Sequence, residues 1–356
     1  MIELRSDTFT MPTARMREAM ASAVVGNDVY REDPTVRALE EKAADLLGKP
    51  AACLMPSGTM ANLAAIMAQV PRGGKVVCGD ESDIYLHEAG GAAVCGGAVY
   101  SPVSTGPDGR LALDDLAASF PADPSDPEYA PVALVCLENS HNRTGGQVLS
   151  TAYVESVAAL ARANGIPLHI DGARLFNAAA HLAAAPAELA RPADTVQFCL
   201  SKGLSAPIGS VLVGDRRTVD RAWRIRKMLG GGMRQAGVIA AAGVVALDEM
   251  RARLVDDHAN ARRLAVGLAT VPGVEVDPAA VQTNIVMFRV AAPWTPPAFV
   301  AACADQGVAV AELGHGRIRA VTHAQIGPLD IDRAVRAIRS VLRTVPLAAA
   351  TVGGER

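Results

Sequence analysis

The chain has 356 residues, with 34 lysines and arginines against 37 aspartates and glutamates, a formal charge of -3 and a pI near 6.2. That balance excludes the basic surface of a nucleic-acid-binding protein, and 50% hydrophobic with 20% charged residues excludes long disorder. At roughly 100–200 residues per domain the length allows two or three compact units.

The opening residues carry Glu3, Arg5 and Asp7 and no apolar core of signal-peptide length, which predicts a cytoplasmic protein. Residues 13–48 have helical spacing interrupted at Gly26, Asn27 and Asp28, and Asp33-Pro34-Thr35 opens a second helix with proline in its first turn. Residues 51–55 form a short apolar run, Ser57-Gly58-Thr59 a turn, and 60–70 a helix with Leu63, Ile66 and Met67 on one face. Further short apolar strands are predicted at 75–78, 98–101, 132–137, 168–170, 196–200 and 210–213, with a clear helix at 151–164. Continuous apolar strands alternating with helices imply a mostly parallel sheet covered on both faces.

Past residue 250 the pattern changes. A charged amphipathic helix at 254–268 is followed by a strand at 284–290, a helix at 297–306, a strand at 318–322 and a helix at 331–345. Three units are expected: an N-terminal arm and helix over 1–45, a large α/β domain over 46–250 and a small α+β domain over 251–356, with 351–356 reading as a frayed end. The Ala-rich stretches 176–190 and 238–250 are broken by His181, Pro186, Glu188 and Asp248, so no membrane span is predicted. Six scattered cysteines read as reduced core residues, and no metal site is expected.

Only five lysines are present, Lys42, Lys49, Lys75, Lys202 and Lys227. Lys202 closes an apolar strand, where partial desolvation would favour a nucleophilic amine; a lysine snorkelling from a strand end into water is the other reading. Asp171 closes another, at the carboxyl edge where parallel sheets bind ligands, or else it caps a helix. Together they match what pyridoxal phosphate requires: a lysine for its Schiff base and a carboxylate to keep the ring nitrogen protonated. Ser57, Gly58 and Thr59 offer a helix N-terminus to a phosphate. The cluster Gly230-Gly231-Gly232-Met233-Arg234 follows a basic helix rather than a strand; it reads as a close-approach loop carrying Arg234 to a phosphate, not a dinucleotide fingerprint.

Seven ordered strings, Leu4-Arg5-Ser6-Asp7-Thr8, Ser57-Gly58-Thr59-Met60-Ala61-Asn62, Glu88-Ala89-Gly90-Gly91, Glu138-Asn139-Ser140-His141-Asn142, Asp171-Gly172-Ala173-Arg174, Leu200-Ser201-Lys202-Gly203 and 230–235, resemble the low-specificity L-threonine aldolases along nearly the whole chain. The resemblance implies an aspartate-aminotransferase-like α/β fold, fold type I, with pyridoxal phosphate as cofactor. It implies retro-aldol cleavage of threonine or allo-threonine to glycine and an aldehyde. By resemblance Lys202 is the Schiff-base lysine and Asp171 the ring-nitrogen partner. Gly58 and Thr59 match the phosphate cradle, Asn142 a contact to the ring hydroxyl, and Arg174 a residue between cofactor and substrate. Arg319 and Ser6 match the carboxylate contacts. Tyr30 and Arg234 match residues reaching in from a neighbouring subunit, so a homodimer or homotetramer is implied.

The family commonly has a histidine stacked on the cofactor where this chain has Asp83. His87, one helical turn on, would share its face if the stretch is helical. His87, Asp83, Glu88 and a bound water stay open as the base for the β-hydroxyl proton. Alternatives for the whole protein are another reaction of the same cofactor, β-elimination or transamination, and a non-catalytic cofactor-binding regulator. His169, within a strand, reads as a core residue with a satisfied ring.

Overall fold

In the computed structural model, residues 1–123 and 125–344 are described; the readings at Val345 and at 351–356 lie outside them. The chain divides into two compact units, one of Thr10–Val255 and one of Met1–Phe9 with the residues from Asp256 on.

The first segment is a two-residue strand, β1 (Ile2–Glu3), followed by helices α1 (Ala14–Ala21) and α2 (Pro34–Leu47). Thr13 caps α1 by accepting the Met16 amide, and Asp33 caps α2 by accepting those of Thr35 and Val36. The second oxygen of Asp33 accepts the amides of Gly26 and Gly237. That carboxylate ties the segment into the larger unit. The arm expected over 1–45 is therefore divided: residues from Thr10 on belong to the larger unit, and residues 1–9 to the smaller.

The larger unit continues with β2 (Ala51–Met55), α3 (Gly58–Gln69), β3 (Lys75–Gly79), α4 (Asp83–Leu86), β4 (Val99–Val103), β5 (Val132–Glu138), β6 (Leu168–Asp171), β7 (Thr195–Cys199) and β8 (Ser210–Gly214). They form one seven-stranded sheet in the order β2-β8-β7-β6-β5-β3-β4. The pairs from β4 across to β7 are parallel, whereas β8 runs antiparallel to both neighbours, β7 and β2. Every residue of β6, β7 and β8 is buried, so the polar members of β6 and β7, His169, Asp171, Thr195 and Gln197, must find partners inside the protein. Since β2 and β7 are both antiparallel to β8, they point the same way. The carboxyl ends of β2, β3, β5, β6 and β7 thus lie along one edge of the sheet.

In the smaller unit β1 pairs in parallel with β11 (Val308–Ala309), and the strands β9 (Val274–Glu275), β10 (Ile285–Val290), β12 (Ala311–Glu312) and β13 (Ile318–Val321) form an antiparallel sheet in the order β12-β13-β10-β9. Helices Pro296–Asp305 and Pro328–Leu342, and most of Leu254–Ala269, belong to it. Its core gathers Leu4, Leu264, Phe288, Phe299, Ile318 and Ile338. Among the described residues no helix is long and apolar enough to cross a membrane, and no group of three or more histidine, cysteine or acidic side chains is placed to hold a metal.

Candidate active site

Residues following β2, β3, β6 and β7 meet in one cavity of ≈ 180 Å³, lined by Ser57, Gly58, Thr59, Asn62, Asp83, His87, Glu88, Asp171, Gln197 and Lys202 among others. Lys202 stands three residues beyond β7. Its backbone carbonyl accepts from the Ser205 amide at 2.9 Å and the Thr10 hydroxyl at 2.8 Å, which pins the turn that carries it.

Asp171, the last residue of β6, is held at the cavity floor. Its Oδ1 accepts from Gln197 Nε2 at 2.5 Å and the Ala173 amide at 3.0 Å, and its Oδ2 from Asn62 Nδ2 at 2.8 Å. Gln197 is its cross-strand partner in the β6/β7 register. Gly172 lets the chain turn there: a Cβ on it would lie 2.6 Å from the Gln197 carbonyl oxygen, the same atom its own amide bonds at 2.8 Å. Burial pushes the Asp171 carboxyl up, Lys202 and these donors pull it back, and the net direction is upward.

Glu88 shares the Asn62 amide, accepting at 2.8 Å. Burial, then the nearby Asp171 charge, push its carboxyl up to about 8, so at neutral pH it is largely protonated. His169 is wholly buried and bonded through both ring nitrogens, to Thr195 and Asn62. It is a core residue with a satisfied ring.

At the rim, the four-residue helix α4 carries Asp83, and His87 closes it with its amide on the Asp83 carbonyl. The two side chains line the same cavity, as i and i+4 positions should. Asp83 accepts from Asn142 Nδ2 at 3.2 and 3.3 Å, and its amide donates to the buried Glu138, which also takes the Asn142 amide. Burial is the largest influence on the Asp83 carboxyl and raises it, but Lys202, Asn142, Arg174 and His87 together hold it below the usual range. His87 is exposed, with Nε2 3.3 Å from Arg143 Nη1; Arg143 in turn pairs with Glu81 at 3.2 Å. Arg174 is buried and stands at the position before the helix that follows β6, without a side-chain capping bond.

Tyr30 and Arg234 are exposed and do not line this cavity. Gly231 and Gly232 do serve close approach: a Cβ on Gly231 would lie 2.3 Å from Met60 Sδ, and one on Gly232 2.6 Å from Lys227 Cδ. Ser6 and Arg319 belong to the smaller unit, where Arg319 Nη2 donates to the Arg5 carbonyl at 3.0 Å and Ser6 Oγ accepts the Thr8 amide at 3.2 Å.

Residues 3–291 match the beta-eliminating lyase family. Low-specificity L-threonine aldolase 1 of Arabidopsis thaliana is 41% identical across 97% of this chain and 97% of its own. The chain belongs to the low-specificity L-threonine aldolases. The family enzyme of Escherichia coli strain K12 is 47% identical across 74% of this chain and 78% of its own. In fold, the Leishmania major threonine aldolase superposes with a TM-score of 0.80 at 20% identity, covering 96% of this chain and 100% of that one.

As in other members of the family, the cofactor is pyridoxal phosphate, and the cavity suits it. Ser57 caps α3 by accepting the Met60 amide at 3.1 Å, and its carbonyl takes the Ala61 amide. The amides of Gly58 and Thr59 ahead of them are left for an anion. A Cβ on Gly58 would lie 2.9 Å from Cys199 Sγ, so only glycine lets that helix start sit against the end of β7. A buried carboxylate and a lysine complete the donor set a pyridinium aldehyde needs.

Asn62 and His141 stand within the quoted motifs but carry no role there, and Gln197 lies in none of them. Asn62 is the one polar residue among the buried Ala, Leu and Ile positions of α3, and Gln197 stands between Val196 and Phe198 in the wholly buried β7; a buried amide must find partners, and that was the available signal. His141 is buried with neither ring nitrogen bonded. Burial pushes its ring down to about 4, against the opposing pull of Asp83 and Glu81.

Proposed function

We propose that the protein cleaves L-threonine, L-allo-threonine and related β-hydroxy-α-amino acids to glycine and an aldehyde. What carries the reading is one conjunction in a chain of this family: Lys202, the buried Asp171 and the start of α3 line a single cavity. Pyridoxal phosphate, when bound, supplies the sink for the electron pair left at Cα as the Cα–Cβ bond breaks.

We assign Lys202 Nζ to hold the cofactor's aldehyde carbon, Asp171 to keep a proton at its ring nitrogen, Asn142 to its ring hydroxyl, and Ser57, Gly58 and Thr59 to its phosphate. Arg174, Arg319 and Ser6 are assigned to the substrate carboxylate, for which a guanidinium fork is suited. For the β-hydroxyl proton, Asp83 and His87 are the acceptors on offer. Glu88, pushed up to about 8, suits a proton donor better than a base. Tyr30 and Arg234, exposed and away from the cavity of their own chain, suit a homodimer or homotetramer in which they complete a neighbour's site. The six free cysteines suit the reducing cytoplasm, the compartment we propose.

The test is product analysis of the cofactor-loaded protein with the four threonine stereoisomers. Glycine plus acetaldehyde from the L-isomers is the expected result. Ammonia plus a keto acid would make it an eliminating lyase, and no turnover with cofactor bound would favour a regulator. Subunit sharing is tested by mixing Lys202→Ala with Tyr30→Ala protein: recovery of activity in the mixture is expected, and none would confine each site to one chain.

A further inference from the structure

Beneath Asp171 runs a hydrogen-bond series that the reaction as proposed does not use. It begins at Gln69, whose Nε2 donates to the Ala65 carbonyl and to Thr195 Oγ1, each at 3.0 Å. Asn62 sets the direction of the series: its Nδ2 donates to two carboxyls, Asp171 Oδ2 and Glu88 Oε1, each at 2.8 Å, so the atom 3.0 Å from His169 Nε2 is Asn62 Oδ1, an acceptor. With the amide placed so, His169 carries its proton on Nε2 and its Nδ1 takes the Thr195 hydroxyl at 2.9 Å. His169 and Thr195 are fully buried and Asn62 is 1% exposed, so water does not compete and each bond is strengthened by the low local dielectric. Burial also pushes the His169 ring down to about 4, which keeps it in the neutral form the series requires.

Two buried carboxyls bridged by one amide do not both ionise. The donors decide which one does. Asp171 receives Gln197 and Ala173 in addition to Asn62, whereas among the described residues the Glu88 side chain accepts from Asn62 alone. We propose that Asn62, oriented by His169, is a positioning residue that fixes negative charge on Asp171 and a proton on Glu88, and thereby sets how strongly the cofactor's ring nitrogen is held. The inference rests on the assignment of Asp171 to that nitrogen.

The experiment is an equilibrium titration of cofactor-stripped protein with pyridoxal phosphate and with its 1-deaza analogue, in which CH replaces the ring nitrogen. The quantity read is the ratio of the two affinities, which general damage to the pocket leaves alone. Wild type favours the natural cofactor, and Asp171→Ala abolishes the preference. Asn62→Leu and His169→Phe each shrink it by about tenfold, the factor expected for loss of one charge-assisted bond in a buried site. His169→Gln, which retains a donor near Asn62, restores it. If Asp171→Ala abolishes the preference while Asn62→Leu and His169→Phe keep it, the positioning role is wrong and the Asp171 assignment stands. If Asp171→Ala keeps it too, the assignment itself fails and the inference falls with it. Should Asn62→Leu not fold, the two His169 variants decide the question.

Discussion

The floor and the rim of the cavity are built to different standards. At the floor, Asp171, Asn62, Gln197, His169 and Thr195 are nearly inaccessible and joined by bonds of 2.5 to 3.0 Å. At the rim, Asp83 meets Asn142 at 3.2 and 3.3 Å and His87 meets Arg143 at 3.3 Å, on a four-residue helix whose last side chains are exposed. A buried network holds one arrangement because every alternative leaves a polar group unpaired. A solvated rim can rearrange. The floor thus suits the invariant part of the chemistry, control of the cofactor's electronics, and the rim suits choice of substrate and proton acceptor.

Changes at Lys202 and at the floor should be the most damaging. Lys202→Ala is expected to lower turnover by on the order of 10³-fold or more and to remove the label that borohydride fixes on the loaded wild-type protein. A label appearing on Lys75 or Lys227 in peptide mapping would displace Lys202 from its role. Asp171→Asn is expected to lower kcat by on the order of 10²-fold, because an amide does not stabilise a protonated ring nitrogen, with cofactor affinity suffering less. Undiminished activity at saturating cofactor would reduce Asp171 to a turn-forming residue.

Arg319, in the smaller unit, belongs to neither set. Arg319→Lys should raise KM for threonine roughly tenfold with a smaller change in kcat, because an ammonium cannot reproduce a bidentate grip on a carboxylate. An unchanged KM would move the carboxylate contact to Arg174.

Floor and rim should also respond to pH with opposite sign. Glu88 is pushed up from an ordinary 4.5 to about 8, so the folded state binds its proton more tightly than the unfolded chain. That contribution to stability is complete below about pH 4.5 and is lost as pH rises through about 8. Asp83 is held below its ordinary 3.8, so its contribution is present above that value and lost as pH falls through its lowered folded value. Thermal midpoints at saturating cofactor should show Glu88→Gln gaining a few degrees on wild type between pH 5 and 9. For Asp83→Asn the loss relative to wild type should narrow only as the solution becomes strongly acidic. Glu40, pushed up to about 7 mainly by burial, adds to the first slope in both proteins and cancels in the difference. A Glu88→Gln protein that tracks wild type across the range would mean Glu88 is ionised in the folded state.

The parts of this site legible in the sequence were those where polarity changes abruptly along the chain. Lys202 and Asp171 stand out because an apolar strand stops at them, and Ser57-Gly58-Thr59 because a turn separates a strand from a helix. The partners of Asp171 were not legible, for a topological reason. Gln197 reaches it across the β6/β7 register, and Asn62 from a helix more than a hundred residues earlier; a strand order is not written in periodicity. The same holds for β8, whose apolar run resembles its neighbours although it runs antiparallel to both. The fate of the first nine residues depended on β1 pairing with β11, a two-residue contact that no local pattern announces.

The smallest effects are expected at the rim, and they test whether it selects substrate. On the assignments proposed above, Asp83 stands in place of the stacking histidine common in the family, and a carboxylate there would meet the negative charge that grows on the substrate's β-oxygen, which opposes the reaction unless it accepts that proton itself. Lys202, Asn142, Arg174 and His87 hold it ionised despite its burial, which leaves it free to take a proton while making it a weak base. His87 is placed differently. Its Nε2 lies 3.3 Å from Arg143 Nη1 at the exposed edge of the cavity. Asp83→Ala should lower kcat several-fold and shift the ratio of L-threonine to L-allo-threonine cleavage, since an acceptor fixed by Asn142 approaches the β-carbon from one side. Asp83→His, restoring the ring, should recover kcat without recovering the wild-type ratio. His87→Phe keeps the ring's bulk and removes the acceptor; a change of a few-fold in KM with kcat held would make His87 part of the substrate wall. Equal loss of kcat for both isomers in His87→Phe, with Asp83→Ala silent, would instead assign the proton to His87 and leave Asp83 no part in the step.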